Sequence, residues 1–304
     1  MKRIIAFIAL LPALCFAQQD NWKDVYIRGG DAAIDVDASG SSLSVTNPVT
    51  VGTEPTIAQV PFLAAVALGL VDGYSSVNKF GYNPTADDGD DVWGGDGVYA
   101  FYPTNANAVW AQSTDVDDVE GDTGAHTVKF FGLDSNWNEA SETVTLNGQT
   151  SVALTNAYIR MFRGVVLTAG STQGNEGDIT VTNGAGTVAI HIETGKGQTQ
   201  HTIYTIPNNK SGLFVKGYVG MGNDDKNGVD ASFEWQARAN NGHTGAWATK
   251  GDIDLVNIGS SWWQYEYGVP AGILLEKTDI RIRVRTASAE SRVVGGYDLL
   301  LKDD

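Results

Sequence analysis

The sequence of 304 residues contains one cysteine, Cys15, few basic residues, and no apolar run of membrane-spanning length. Each shortage excludes something. A single thiol excludes an intramolecular disulfide framework and a cysteine-built metal site. With 20 Lys and Arg against 36 Asp and Glu, the net charge is −16. Nucleic acid and anionic lipid both demand a basic surface, so neither is an expected partner. Only 18% of residues are charged while 36 are glycine, which is foreign to coiled coils and helical repeats. The 42% apolar content still suffices for a large core.

The start of the chain reads as an export signal. Lys2 and Arg3 precede the apolar stretch Ile4 to Phe16, and Cys15-Phe16-Ala17 offers a small-x-small cleavage site. That stretch is shorter than the ~20 residues a membrane helix requires, and no later segment spans a bilayer as a helix. Cleavage after Ala17 would remove Lys2, Arg3 and the only cysteine.

Beyond it, glycine- and asparagine-punctuated alternation predicts an all-β fold built of β-sandwich or jelly-roll-type modules with an extended N-terminal arm. Residues 18–59 form the expected arm, with short strands at Val36, Leu43, Val45, Val49 and Val51. Residues 60–195 form a central β-rich domain and residues 196–304 a C-terminal sandwich, jointed at Thr194-Gly195-Lys196-Gly197. One helix is expected over Val60 to Leu70, with Pro61 in its first turn. Asn147-Gly148 between Thr143–Leu146 and Thr150–Leu154 predicts a hairpin, and Asn183 to Gly186 predicts a second one. Ala231, Phe233, Trp235 and Ala237, and likewise Ile280, Ile282 and Val284, alternate with polar residues as half-buried strands do.

Three acidic loops are calcium candidates: Asp87 to Asp91, Asp115 to Asp122, and Asn223 to Asn227. Calcium takes six to eight oxygens, and Asp115, Asp117, Asp118, Glu120 and Asp122 are the ligands considered. None of the loops follows the D-x-[DN]-x-[DN]-G pattern, since the fifth position from Asp115 is Val119. Solvated turns are the plainer reading. His126, His191, His201 and His243 lack zinc spacing. There is no G-x-S-x-G elbow and no glycine-rich phosphate loop. An enzyme is therefore not expected, although chance carboxylate pairs are unavoidable among 36 acids.

Two surface features remain. Trp262, Trp263, Tyr265 and Tyr267 make a dense aromatic patch. Exposed, the rings are a platform for sugars; buried, they are a seam between sheets or subunits, the commoner fate of large aromatics. Arg281, Arg283 and Arg285 share one strand face, where like charges repel unless carboxylates of a neighbouring strand or subunit answer them. Gln198–Asp304 is expected to fold alone and to use this outward arginine stripe as a subunit contact.

Several segments carry a resemblance when taken in order: Gly73-Tyr74-Ser75-Ser76-Val77-Asn78-Lys79-Phe80-Gly81, Ser141 to Gly148, Thr168-Ala169-Gly170-Ser171, Gly195-Lys196-Gly197-Gln198-Thr199, Ile203-Tyr204-Thr205-Ile206-Pro207 and Glu276-Lys277-Thr278-Asp279-Ile280. From Val60 onward the chain resembles a family of virion structural proteins from marine tailed bacteriophages. The resemblance implies a non-enzymatic head or tail decoration or a fibre component, assembling with itself and with other virion proteins, and it brings no catalytic residues. The export-like start departs from that pattern, because virion proteins assemble in the host cytoplasm. The rival reading is a secreted carbohydrate-binding protein or glycosidase accessory module recognising a cell-surface glycan. In a Gram-negative host the chain is expected to lose Met1–Ala17 and leave the cytoplasm; intact mass would check this, and an unprocessed cytoplasmic protein would refute it.

Overall fold

The structure, a computed structural model, describes residues 27–29, 32–34, 61–222, 229–239, 245–257, 260–266, 272–287 and 291–304. The export-like segment, the arm strands expected at residues 36–51, the acidic loop at 223–227, His243 and Tyr267 lie outside the described residues. The chain divides into two units, Met1–Thr56 and Ile57–Asp304. In the first, β1 (Ile27–Gly29) pairs antiparallel with β2 (Ala32–Ile34).

The second unit is almost entirely strand. Its helix α1 (Phe62–Ala67) follows Pro61 and buries Ala65 and Val66. It is shorter than the expected Val60–Leu70, because Gly69 turns the chain into the left-handed region at φ 70°. Then come β3 (Tyr74–Ala86), β4 (Val109–Ser113), β5 (Ala125–Leu133), β6 (Glu139–Thr145), β7 (Val152–Ala153), β8 (Arg160–Ala169), β9 (Ile179–Asn183) and β10 (Val188–Ile192). The last eight are β11 (Tyr204–Thr205), β12 (Lys210–Gly222), β13 (Val229–Ala239), β14 (Ala248–Asn257), β15 (Ser260–Glu266), β16 (Ile273–Leu274), β17 (Thr278–Ala287) and β18 (Ser291–Asp303).

Four sheets result. One has the order β15-β12-β18-β3, with β16 also on β12, and another β11-β17-β13-β14. Phe214, Val219, Val293 and Tyr297 from the first, and Phe233, Trp235, Ile280, Ile282 and Val284 from the second, belong to one apolar core. Ile280, Ile282 and Val284 are fully buried, as their alternation predicts. Each such side chain contributes about 1.5–3 kcal/mol relative to exposure. The other two sheets run β10-β9-β4-β7 and β6-β5-β8. They share a second core containing Val109, Val181, Ile190, Val128, Phe130 and Met161. This second module, β4 to β10, is inserted between β3 and β11.

The insertion alters the expected division at 195/196. β3 belongs with the C-terminal sheets, pairing along β18 from Ser291↔Ala86 to Lys302↔Tyr74. The expected hairpin at Asn183–Gly186 forms, with β9 and β10 antiparallel. The one at Asn147-Gly148 does not. β6 pairs with β5 and β7 with β4, in separate sheets. The turn is closed, with the Thr150 N–H donating to the Asn147 carbonyl at 3.0 Å. Gly148 however donates to the Asp118 carbonyl at 2.9 Å and accepts from the Ser113 N–H at 3.1 Å, so the turn is a corner between sheets.

Removing β3 strips one side of β18 and opens a long edge beside the core. Gln198–Asp304 alone is therefore expected to lack cooperative unfolding and dispersed amide resonances, both of which the full chain should show. A well-folded fragment would make β3 dispensable.

Candidate functional site

The arginine stripe is the first departure. Its strand, β17, lies inside its sheet, between β11 and β13. Arg281 is 4% exposed. Its Nε donates to Gln236 Oε1 at 2.9 Å and its Nη1 lies 3.2 Å from Asp91 Oδ1. Arg283 donates from Nε to the Gly89 carbonyl at 2.9 Å. Arg285 spans Asp252 at 2.8 Å and Asp254 at 2.9 Å, both on β14. Carboxylates answer Arg281 and Arg285 within the chain and a carbonyl answers Arg283, so the stripe is not the uniformly outward face expected: Arg281 is buried while Arg285 stays exposed. The loop 87–91 closes over Arg281 and Arg283, which strand alternation alone places outward.

Beside it lies a buried ionic cluster that the sequence did not signal. Asp279, 0% exposed, takes Arg160 in a two-point bridge, Nε to Oδ1 at 2.8 Å and Nη2 to Oδ2 at 3.1 Å. It also accepts from Arg238 Nε at 2.9 Å and Thr205 Oγ1 at 2.6 Å. Trp247 receives the Arg238 and Arg281 guanidinium groups at 4.5 and 4.1 Å from its ring centre, and Tyr102 that of Arg238 at 4.2 Å. Desolvation opposes the charge of Asp279, but Arg160, Thr205 and Arg238 prevail and lower its pKa. Asp91 goes the other way: desolvation outweighs Arg281, the Tyr99 N–H and Arg283, and raises it to about 6.

The calcium candidates separate on folding. Asp118 is fully buried, and its two oxygens accept from Ser113 Oγ at 2.5 Å and from the N–H groups of Ala125 at 2.6 Å, Glu176 at 2.9 Å and Gly177 at 3.0 Å. It is a loop staple rather than a ligand. Asp122 Oδ1 accepts from the Thr123 N–H at 2.9 Å. The carboxylates that converge are Asp115, Asp117 and Glu176, with oxygens within 4.8 Å of one another. Glu176 was not among the residues considered, because it lies 59 positions from Asp117 and only the fold brings it there. Three carboxylates carry six oxygens, the lower bound for calcium, and reach it only if each binds through both. Desolvation first, then Asp122, Asp115 and Glu176, raise the pKa of Asp117.

The aromatic patch divides by strand alternation. On β15, Trp262 is 57% exposed and stacks on Tyr218 at 5.0 Å. Trp263 and Tyr265 take the other face, with ring planes within 6° and centres 5.9 Å apart. Tyr265 is 47% exposed, while Trp263 leans on Trp235 at 5.3 Å. Together these line a cleft of about 240 Å³ with Phe214, Gly217, Lys250, Gly251 and Asp252. The cleft sits where β14 and β15, each the last strand of its sheet, face one another. Trp235 lies between two glycines, and only Gly217 is a tight approach. A Cβ at Gly217 would stand 3.1 Å from its Nε1, and one at Gly251 would stand 3.6 Å from its Cε3.

No protein-family model matches the chain, and no curated protein matches it. Among solved structures, one titled "Structure of infectious bursal disease virus Gx strain" aligns at a TM-score of 0.21 and 10% identity, over 80% of this chain and 76% of that one.

Asp279→Asn is expected to cost about 3–5 kcal/mol at neutral pH, because it leaves Arg160 and Arg238 without their counter-charge. The folded pKa of Asp279 lies below its ordinary value, so its charge stabilises the fold above that value and is lost as pH falls through the folded one. The deficit of the variant should therefore shrink in strong acid. Urea melts from neutral to strongly acidic pH would check this; a pH-independent deficit would contradict it.

Proposed function

We propose that residues 74–86 and 204–303 form a jelly roll, and that the protein is a non-enzymatic structural or attachment component of virion type. The order of pairing carries the reading. A jelly roll is one long antiparallel ribbon, its strands pairing first with eighth, second with seventh, third with sixth and fourth with fifth, then rolled into two sheets. Counting β3, β11, β12, β13, β14, β15, β17 and β18 as first to eighth, the observed pairs are β3·β18, β11·β17, β12·β15 and β13·β14. Rolling adds third to eighth and fourth to seventh, and these are β12·β18 and β13·β17. Viral capsid domains and lectins both use this architecture, and both act through surfaces.

Two further observations support a surface role. Asp91, Asp118 and Asp279 are each held by ion pairs or N–H donors. The cleft has one carboxylate in its lining, Asp252, where glycoside cleavage needs two about 5–9.5 Å apart. Phe62, Leu63, Leu68, Ile273 and Leu275 are exposed large apolar side chains, which self-association or other virion proteins would cover. No helix among the described residues is long and apolar enough to cross a membrane. The compartment proposed is the virion or the exterior of the cell.

Light scattering on the full chain is expected to give a closed oligomer at micromolar concentration, with no turnover of ester, peptide or glycoside substrates. A monomer throughout that range, or turnover abolished by Asp252→Asn, would overturn the reading.

A further inference from the structure

We infer that the cleft between β14 and β15 binds one pyranose ring of a neutral glycan. The inference rests on the attachment reading and names the ligand class for it. Pyranoses present a face of C–H groups and a rim of hydroxyls, so a site for them pairs an aromatic wall with donors and acceptors at its edge. Trp263 and Tyr265 make the wall, parallel and at one edge of the sheet. Lys250 and Asp252 stand at the mouth of the cleft, the Asp252 carboxylate turned outward to Arg285 at 2.8 Å.

The second observation is Trp235. It is 7% exposed, and its Nε1 is buried with no hydrogen-bond partner among the described residues. A buried donor left without an acceptor is costly to the fold. This one lies beside Gly217 in the cleft lining, where a Cβ would stand 3.1 Å from it. A hydroxyl entering beside Gly217 would supply the acceptor once the indole shifts to open its buried N–H.

Charge and size narrow the ligand. In the lining Lys250 balances Asp252, so nothing favours a charged ligand. Aromatic walls with a lone carboxylate would suit a quaternary ammonium, but Lys250 opposes a cation. The volume of about 240 Å³ falls below the range of about 300–1,000 Å³ for drug-sized ligands, which fits one ring and not a chain of them.

The probes are the methyl glycosides of glucose, galactose, mannose and N-acetylglucosamine, with choline as the cationic comparison. They are titrated into the full chain by tryptophan fluorescence and ligand-observed NMR. At least one glycoside should bind in the millimolar range, as the few contacts of one ring allow. Affinity should fall at least tenfold in Trp263→Ala and in Tyr265→Ala, the latter an exposed position where truncation spares the core. It should persist in Trp262→Ala, whose ring lies on the opposite face. Absence of binding by every glycoside, preference for choline, or equal affinity in Tyr265→Ala would overturn the assignment. Light scattering on the same samples keeps the two readings apart. An oligomer that binds no glycoside defeats the cleft alone, whereas a monomer that binds one defeats the virion role and leaves the cleft standing.

Discussion

A carboxylate with no exposed surface is costly to fold unless cations and donors replace its water, and Asp279 sits in that position. Its partners come from distant parts of the chain. Arg160 belongs to β8 of the inserted module, Arg238 and Thr205 to the strands flanking β17. Satisfying one charge thus brings the insertion and the C-terminal sheets to a common point. Arg160 reinforces the joint by donating from Nη1 to the carbonyls of Pro103 at 3.1 Å and Ile159 at 2.7 Å. The link is rigid because guanidinium and carboxylate meet through two parallel bonds, which fix orientation as well as distance.

The neighbouring pair obeys the same electrostatics with the opposite outcome. Asp91 has Arg281, one backbone N–H and the charge of Arg283 against its desolvation, and its pKa rises to about 6. A folded pKa above the unfolded one means that protonation favours the native state, and this contribution fades as pH climbs through about 6. Asp279, with two arginines and a hydroxyl, keeps its charge. Asp279 is bonded directly by two arginines and Asp91 by one.

Elsewhere the surplus of negative charge has local uses. Asp118 gathers three N–H groups and a hydroxyl. Asp134 Oδ1 accepts from Asn136 at 2.8 Å and Asn138 at 3.0 Å, closing the β5–β6 turn. Asp178 accepts from the N–H and hydroxyl of Thr194, each at 2.8 Å. Side chains that bond backbone donors are favoured in turns, and a protein of many strands has many turns. Edge strand β14 alternates Lys250, Asp252 and Asp254 outward with Ile253 and Leu255 inward, and charge on an edge discourages pairing with another chain.

The sequence by itself determined the class of the fold and the inward faces of its strands. Alternation with period two is local, so β13 and β17 were legible from Ala231 to Ala237 and from Ile280 to Val284, as was the β9–β10 hairpin from its short turn. Tertiary structure alone decided what covers the remaining faces. Arg281 looked outward until the 87–91 loop and Gln236 closed over it. The four aromatics read as one patch until alternation on β15 sent Trp262 to one face and Trp263 with Tyr265 to the other. β3 read as part of the central domain, yet it pairs with β18 more than 200 residues away. The meeting of Arg160 with Asp279, 119 residues apart, left no local trace either. Pairings at such separation depend on how the whole chain closes, and no window of neighbouring residues records that.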